Sequence, residues 1–256
     1  MATSLRRWLL AALLVSASAS AWAAPDEIQV YTGEMDDPGE FGLELHVNYV
    51  PKGAQEPNYE GEKPSHHMTQ VTPEFSYGIT KEWEAGLYVP FAMAPDGNLY
   101  NNGLRGRIKF VPEHAENSGF YWGFNTEVGY STRRVSESYW GMELRPIIAY
   151  DDGKWMASFN PILDLSLSTN VSREPNFEPA FKLGRTVAEG IRAGFEYYGE
   201  YGPLHHLLPA DQRAHYLYGV LDINRGDLDL NIGIGKGYQA APDDWVVKAI
   251  IAFPFK

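Results

Sequence analysis

Cysteine is absent from the 256-residue chain. Without thiols the protein can form neither a disulfide framework nor a cysteine-ligated metal or redox site. Basic residues are also scarce, since 21 Lys and Arg stand against 33 Asp and Glu and give a formal net charge of −12. A chain with this excess of negative charge would repel a phosphate backbone, so we expect no nucleic-acid partner.

Long apolar runs are missing beyond the first two dozen residues. Because a membrane-spanning helix needs about 20 consecutive apolar residues, this excludes a helical membrane protein. Disorder is disfavoured for the opposite reason: the chain contains 7 Trp, 16 Tyr and 12 Phe, and such a content of large apolar rings is typical of folded proteins.

Residues 1–23 have the layout of a secretory signal peptide. Two arginines precede the apolar stretch 8–15, and the sequence Ala-Trp-Ala at 21–23 fits the small-x-small rule for a cleavage site. The apolar stretch is too short for a membrane anchor. We therefore expect an exported protein whose mature chain begins at Ala24.

Past the first 40 residues, apolar and polar residues alternate with a period of two, which predicts β-strands. In the first segment Leu43 and Leu45 share one face, while Glu44 lies on the other. The last segment is the least regular, because Val246 and Ile250 put apolar side chains on the polar face. The predicted strands cover 41–50, 69–79, 83–91, 104–110, 120–130, 140–150, 155–167, 177–183, 191–198, 217–223, 228–234 and 245–255.

The connections between these segments alternate in length. Those after odd-numbered segments are long and polar, whereas most of those after even-numbered segments are tight turns such as Asp152-Gly153. An even number of strands, short turns at one end and long loops at the other are typical of outer-membrane barrels of Gram-negative bacteria. A closed sheet also pairs every backbone polar group that would otherwise face lipid.

We therefore predict an all-β fold, a single antiparallel up-and-down transmembrane β-barrel of about 12 strands that spans residues 40–256. A soluble β-sandwich would alternate in the same way, but the continuous apolar face and the aromatic residues near strand ends favour a barrel. The expected location is the cell outer membrane, with outer-membrane lipid around a monomer. Residues 24–39 precede the first strand, and the sequence leaves open whether they form a periplasmic tail or a small plug.

Charged residues on the polar face would line the barrel lumen. Alternate positions place Arg105, Arg107 and Lys109 as a ladder on one strand. This ladder could steer anionic solutes, as charged rings do in pores, or it could pair with acids of neighbouring strands. The charges that we place along a solute path are Arg105, Arg107, Lys109, Glu84, Glu127, Glu143, Arg145, Arg192 and Glu196. With so many side chains turned inward, we expect a narrow or occluded passage.

Two stretches resemble a known family. They are TPEFSYGITKEWEAGLYVPF at 72–91 and FKLGRTVAEGIRAGFEYYGEYG at 181–202. Both resemble the outer-membrane barrel family that is assigned to transport in the phenol-degradation meta pathway. The resemblance implies a barrel that takes up aromatic or other hydrophobic compounds, and it brings no catalytic residues.

Catalytic chemistry finds little support in the sequence. There is no G-x-S-x-G motif, and of the seven histidines only His46 lies within a predicted strand. Two histidine pairs, at 66–67 and 205–206, lie in or beside long loops, where solvated side chains are expected rather than a metal site. We therefore expect no enzyme activity, no metal and no cofactor.

These observations predict a channel or transporter for small solutes, which the resemblance extends to hydrophobic or aromatic ones. A non-transporting structural or surface barrel is the main alternative. A lipid-modifying enzyme of the outer membrane is a further one.

Overall fold

The computed structural model describes residues 26–226 and 228–254. The signal peptide predicted at 1–23 lies outside the described residues. No helix of the described part is long and apolar enough to cross a membrane. The strands are β1 (Phe41–Lys52), β2 (Thr69–Gly78), β3 (Trp83–Tyr88), β4 (Phe91–Met93), β5 (Leu99–Asn101), β6 (Gly103–Phe110), β7 (Gly119–Ser131), β8 (Trp140–Asp151), β9 (Trp155–Ser166), β10 (Asn176–Ala188), β11 (Ile191–Glu200), β12 (Ala214–Arg225), β13 (Leu228–Gln239) and β14 (Trp245–Pro254).

The strands form one closed antiparallel barrel. The barrel strands follow one another around the sheet in chain order, and β1 pairs with both β2 and β14, which closes the sheet. Two of the barrel strands are interrupted. β3 and β4 both pair with β2 and are separated at Pro90, which has no N–H to donate to a ladder. β5 and β6, which pair with β4 and β3, are separated at Asn102, whose amide donates to the Pro90 carbonyl at 2.8 Å. Counting each interrupted strand once, the barrel has 12 strands, and the predicted fold is confirmed.

One predicted loop is shorter than expected. The sequence pattern placed residues 94–102 in a connection, but β5 lies within it and pairs with β4, which lengthens the hairpin. The turn between them is stabilised by Asp96, whose side chain accepts hydrogen bonds from the backbone and side chain of Asn98. Three-residue strands carry too little alternation to be recognised in the sequence.

Burial follows the predicted alternation along the strands. Polar side chains such as His46, Gln70 and Asn125 are fully buried, whereas Phe120 and Trp122 are 81% and 57% exposed. The polar face therefore points into the lumen and the apolar face forms the outside of the barrel. We refer to the two ends of the barrel as the long-loop end and the short-turn end.

Residues 26–40, here the N-terminal segment, lie inside the barrel outside the sheet ladder. Ile28, Val30 and Tyr31 are at most 5% exposed. Each is surrounded by inward-facing apolar side chains from the barrel wall. Ile28 packs with Val50, Val220 and Val246, Val30 with Ile162 and Ala180, and Tyr31 with Ile147 and Ala149.

The apolar residues that interrupt the polar face of the strands lie where the N-terminal segment contacts the wall. Val246 is fully buried and packs in the cluster around Ile28. An apolar side chain on the lumen face would otherwise contact polar groups or water, so the N-terminal segment explains why β14 departs from strict alternation. Ile147, which is also apolar and turned inward, packs against Tyr31.

The backbone of the N-terminal segment has no strand partner. Side chains of the barrel wall form hydrogen bonds with it instead. Asn160 accepts a hydrogen bond from the Tyr31 amide at 2.7 Å and donates to the Tyr31 carbonyl at 3.1 Å. Lys248 donates to the Ile28 carbonyl at 2.9 Å, and Arg145 to the Gln29 carbonyl at 3.2 Å. Because unpaired buried backbone groups are costly, these residues fix where the segment can lie.

The segment leaves the lumen at the short-turn end, against a glycine. The Gly39 amide donates to the Gly78 carbonyl at 2.7 Å, and Ser76 donates to the side chain of Asp36. A Cβ atom on Gly78 would overlap the backbone oxygens of Asp36 and Asp37. Only glycine therefore lets the segment pass this closely over β2.

We expect Gly78→Val to displace the exit of the N-terminal segment while the barrel stays folded. Overpacking of this kind costs about 1–3 kcal/mol, which a local displacement relieves. Hydrogen exchange of peptides within 26–40 should accelerate in the variant. Gly219→Val is the matched control, because a Cβ atom there meets nothing within 4 Å. Equal exchange in both variants would contradict the close contact.

Candidate functional site

The lumen charges near the short-turn end form one network. Arg107 contacts Glu74 at 2.5 Å and Glu84 at 2.7 Å, and Lys109 contacts Glu84 at 2.8 Å. The backbone amide of Asp36 also donates to Glu84, at 2.6 Å. Strand register explains this network, since Glu84 lies opposite Lys109 and two residues before Gly86, which lies opposite Arg107.

A second network links the wall to the N-terminal segment at mid-barrel. Arg105 contacts Asp26 at 3.2 Å, Glu27 at 3.4 Å and Glu127 at 3.7 Å. Arg145 contacts Glu143 at 2.6 Å and Glu27 at 3.6 Å. The acids of the segment therefore share the guanidinium groups with acids of the wall.

The remaining predicted site residues, Arg192 and Glu196, lie on β11. Lys248 and Lys182 both pair with Glu196, and Lys182 also contacts Asp222 at 2.7 Å. Arg192 contacts Asp151 at 2.9 Å. Every predicted lumen base thus has an acidic partner, and the ladder of Arg105, Arg107 and Lys109 is wholly engaged in ion pairs.

A cavity of about 740 Å³ lies toward the long-loop end and is here called the vestibule. Its lining holds eight carboxylates and one guanidinium group. The acids are Asp26, Glu127, Glu137, Glu143, Asp164, Glu174, Glu178 and Glu200, and the base is Arg105. Apolar loop residues such as Val135, Pro203 and Leu208 line the same cavity, so it offers both acidic groups and apolar surface.

Three of the vestibule acids have no basic partner. Asp164, Glu178 and Glu200 take part in no ion pair within the described residues, whereas Glu127 and Glu143 are paired with arginines. The excess of acid over base in the lumen is therefore concentrated at the long-loop end. Glu178 and Glu200 lie on adjacent strands, and Asp164 lies on the strand before them.

The charges predicted from the sequence are those that form ion pairs. The vestibule acids without a basic partner were not predicted as a site. The ladder of Arg105, Arg107 and Lys109 stood out because three bases alternate on one strand. Asp164, Glu178 and Glu200 were not among the charges predicted along the solute path. No local signal in the sequence separates these acids from the paired ones, since pairing depends on which strands meet in the closed barrel.

The loops at the long-loop end are joined to one another around the vestibule. The first loop, 53–68, reaches the loop at 132–139, where the Lys63 amide donates to the Arg134 carbonyl at 2.9 Å. It also contacts the last loop, because Ser65 donates to the fully buried carboxylate of Asp243. Burial raises the pKa of Asp243 to about 6. The protonation state of one carboxyl group is thus linked to how firmly two loops are held together.

The sequence matches no family model. No curated protein matches it either. Its fold is similar to that of two solved outer-membrane proteins. An outer membrane channel from Pseudomonas putida F1 superposes with a TM-score of 0.62 at 12% identity, covering 90% of this chain and 100% of that one. The NanC porin gives a TM-score of 0.56 at 11% identity, covering 84% and 99%. At these identities the likeness is one of fold.

We expect the contact between the first and last loops to weaken as the pH rises. A carboxyl group whose pKa is raised by folding stabilises the folded state below its unfolded pKa, and this stability is lost as the pH rises through about 6. Protection from hydrogen exchange within 53–68, corrected for the intrinsic rate, should be lower at pH 8 than at pH 5.

Asp243→Asn should remove this dependence and keep the loop protected at pH 8, because the amide stays neutral. The neighbouring Asp244→Asn serves as the control, since Asp244 is half exposed and pairs with Lys52. A pH dependence that survives in Asp243→Asn would show that another group is responsible.

Proposed function

We propose that this protein is an outer-membrane channel for small solutes, with the vestibule open to the cell exterior. The long polar loops and the short turns support this orientation, since outer-membrane barrels place short turns on the periplasmic side. The similarity in fold to an outer membrane channel and to a porin supports the class. The observation that carries the proposal is the vestibule itself, a solute-sized cavity of about 740 Å³ at the end of the lumen.

The vestibule favours cations over anions. Its single guanidinium group, on Arg105, is shared among three acids, while Asp164, Glu178 and Glu200 have no cationic partner in the described chain. Rings of acidic side chains make pores cation-selective. The apolar lining next to these acids suits the apolar body of a solute. Together they support a small organic cation, and an aromatic ring would fit the uptake role that the family resemblance implies.

Passage beyond the vestibule requires the N-terminal segment to move. Residues 28–31 fill the middle of the lumen and are held by wall side chains such as Asn160 and Lys248. We therefore expect a low basal conductance with brief openings. A barrel that never conducts would instead be the structural or surface protein of the main alternative.

Conductance in planar bilayers tests this proposal. Under a salt gradient the open barrel should be cation-selective, and benzyltrimethylammonium should permeate better than benzenesulfonate, which has the same ring and the opposite charge. Absence of conductance and of solute flux into liposomes would contradict the channel. Turnover in lipid-hydrolysis assays would favour the enzyme alternative, and we expect none.

Neutralising the unpaired vestibule acids should reduce the selectivity. At an effective dielectric constant of about 20, a charge about 8 Å from a passing ion contributes about 2 kcal/mol, so losing several such charges should lower the cation-to-anion permeability ratio by about tenfold or more. The variant is Asp164→Asn with Glu178→Gln and Glu200→Gln, and the measurement is the reversal potential.

The matched control removes three acids that are exposed near the short-turn end: Glu40→Gln, Glu116→Gln and Glu189→Gln. It has the same change in net charge but leaves the vestibule intact, so its selectivity should stay near that of the unmodified protein. Equal losses in the two triple variants would mean that overall charge, and not the vestibule, sets the selectivity.

A further inference from the structure

Two acids face each other inside the barrel, away from the vestibule. Glu44 on β1 and Glu74 on β2 are direct cross-strand partners. Like charges in directly opposite positions destabilise a sheet unless a cation lies between them. The side chain of His46, two residues further along β1, reaches this position and is fully buried.

The three side chains converge on one point. His46 Nε2 lies 3.1 Å from Glu74 Oε2 and 3.7 Å from Glu44 Oε2, and the three atoms lie within 4.8 Å of one another. The other ring nitrogen, Nδ1, is buried and has no hydrogen-bond partner among the described residues. The ring therefore forms polar contacts through Nε2 alone, the atom that faces both carboxylates.

We propose that Glu44, His46 and Glu74 form a binding site for a divalent transition-metal ion such as Zn²⁺. Zinc binds imidazole nitrogen and carboxylate oxygen at about 2.0–2.2 Å, and tetrahedral geometry at these lengths separates neighbouring donor atoms by about 3.4 Å. The two separations at His46, 3.1 and 3.7 Å, lie on either side of that value. The two carboxylate oxygens lie within 4.8 Å of each other and would approach to that value on coordination.

The surrounding charges leave one negative charge to be compensated. Glu74 and Glu84 are balanced by Arg107 and Lys109, while Glu44 has no ion-pair partner except His46 in the described residues. Arg107 holds Glu74 through Oε1 only, by its Nε at 2.6 Å, and this leaves Oε2 directed at His46. A partner that orients one carboxylate oxygen while the other binds the ion is the usual outer shell of a metal site.

There is also room for further ligands. A small cavity of about 40 Å³ adjoins the site and is lined by Glu44 and Glu74, by Arg107 and Lys109, which pair with Glu74 and Glu84, and by residues of the N-terminal segment such as Gln29. This volume exceeds what one water molecule needs. Gln29 already donates to Glu44 Oε2, at 3.4 Å. A bound ion with its water would thus join β1 and β2 to the N-terminal segment. The site is independent of whether the barrel conducts.

Titration of the whole mature barrel in detergent with ZnCl₂ at pH 7.5, after treatment with a chelator, tests the site. Calorimetry should give one ion per barrel. Co²⁺ in place of Zn²⁺ should give the absorption of a four- or five-coordinate ion with nitrogen and oxygen ligands. Glu44→Gln keeps the shape of a half-buried side chain, and it should weaken Zn²⁺ binding at least tenfold, as should His46→Gln.

Loop histidines could also bind Zn²⁺, and a control variant removes this ambiguity. His66→Gln, His67→Gln, His205→Gln and His206→Gln together should leave the single site unchanged. Heat-modifiable migration on gels shows whether each variant is folded. Binding that survives Glu44→Gln but disappears in the loop variant would overturn the proposal. A folded wild-type barrel that takes up no Zn²⁺ would also overturn it.

Discussion

The seating of the N-terminal segment in the barrel is the contact on which the rest of the lumen depends. Its backbone has no strand partner, and unpaired buried amides and carbonyls are costly, so wall side chains must supply the hydrogen bonds. Asn160, Lys248 and Arg145 do so at residues 28–31. Apolar wall residues such as Val246 and Ile147 then cover Ile28 and Tyr31, which fixes both the height and the path of the segment.

This arrangement also decides where free charge remains. The guanidinium groups of Arg105 and Arg145 are shared between acids of the wall and acids of the segment, and the lysines opposite are taken up by Glu196. No base of the ladder is left to attract an anion. The acids without a basic partner lie beyond the segment, at Asp164, Glu178 and Glu200 in the vestibule. An acidic composition, which for a soluble protein would describe only its surface, here supplies the lining of a cavity.

The period-two alternation was sufficient to predict the barrel, because one residue in two must face lipid and the other the lumen. The same pattern predicted which charges point inward, including Glu84 and Arg107. It could not show their partners across the barrel, since contacts between distant strands and with the N-terminal segment depend on closure and tilt rather than on local pattern. The apolar residues at Val246 and Ile250 were visible as irregularities, and only the structure shows that Val246 covers Ile28. Short strands such as β5 were not predicted, because three residues are too few to show an alternation.

A cross-link between the segment and the wall tests the central claim most directly. The chain contains no cysteine, so Val30→Cys with Ile162→Cys introduces a single pair of thiols in one packed cluster. Under mild oxidation we predict a disulfide within the folded barrel, detected as a shifted band that reduction abolishes, with Glu40→Cys and Ile162→Cys giving none. A folded barrel in which the thiols at 30 and 162 stay free under the same conditions would contradict a segment seated in the lumen.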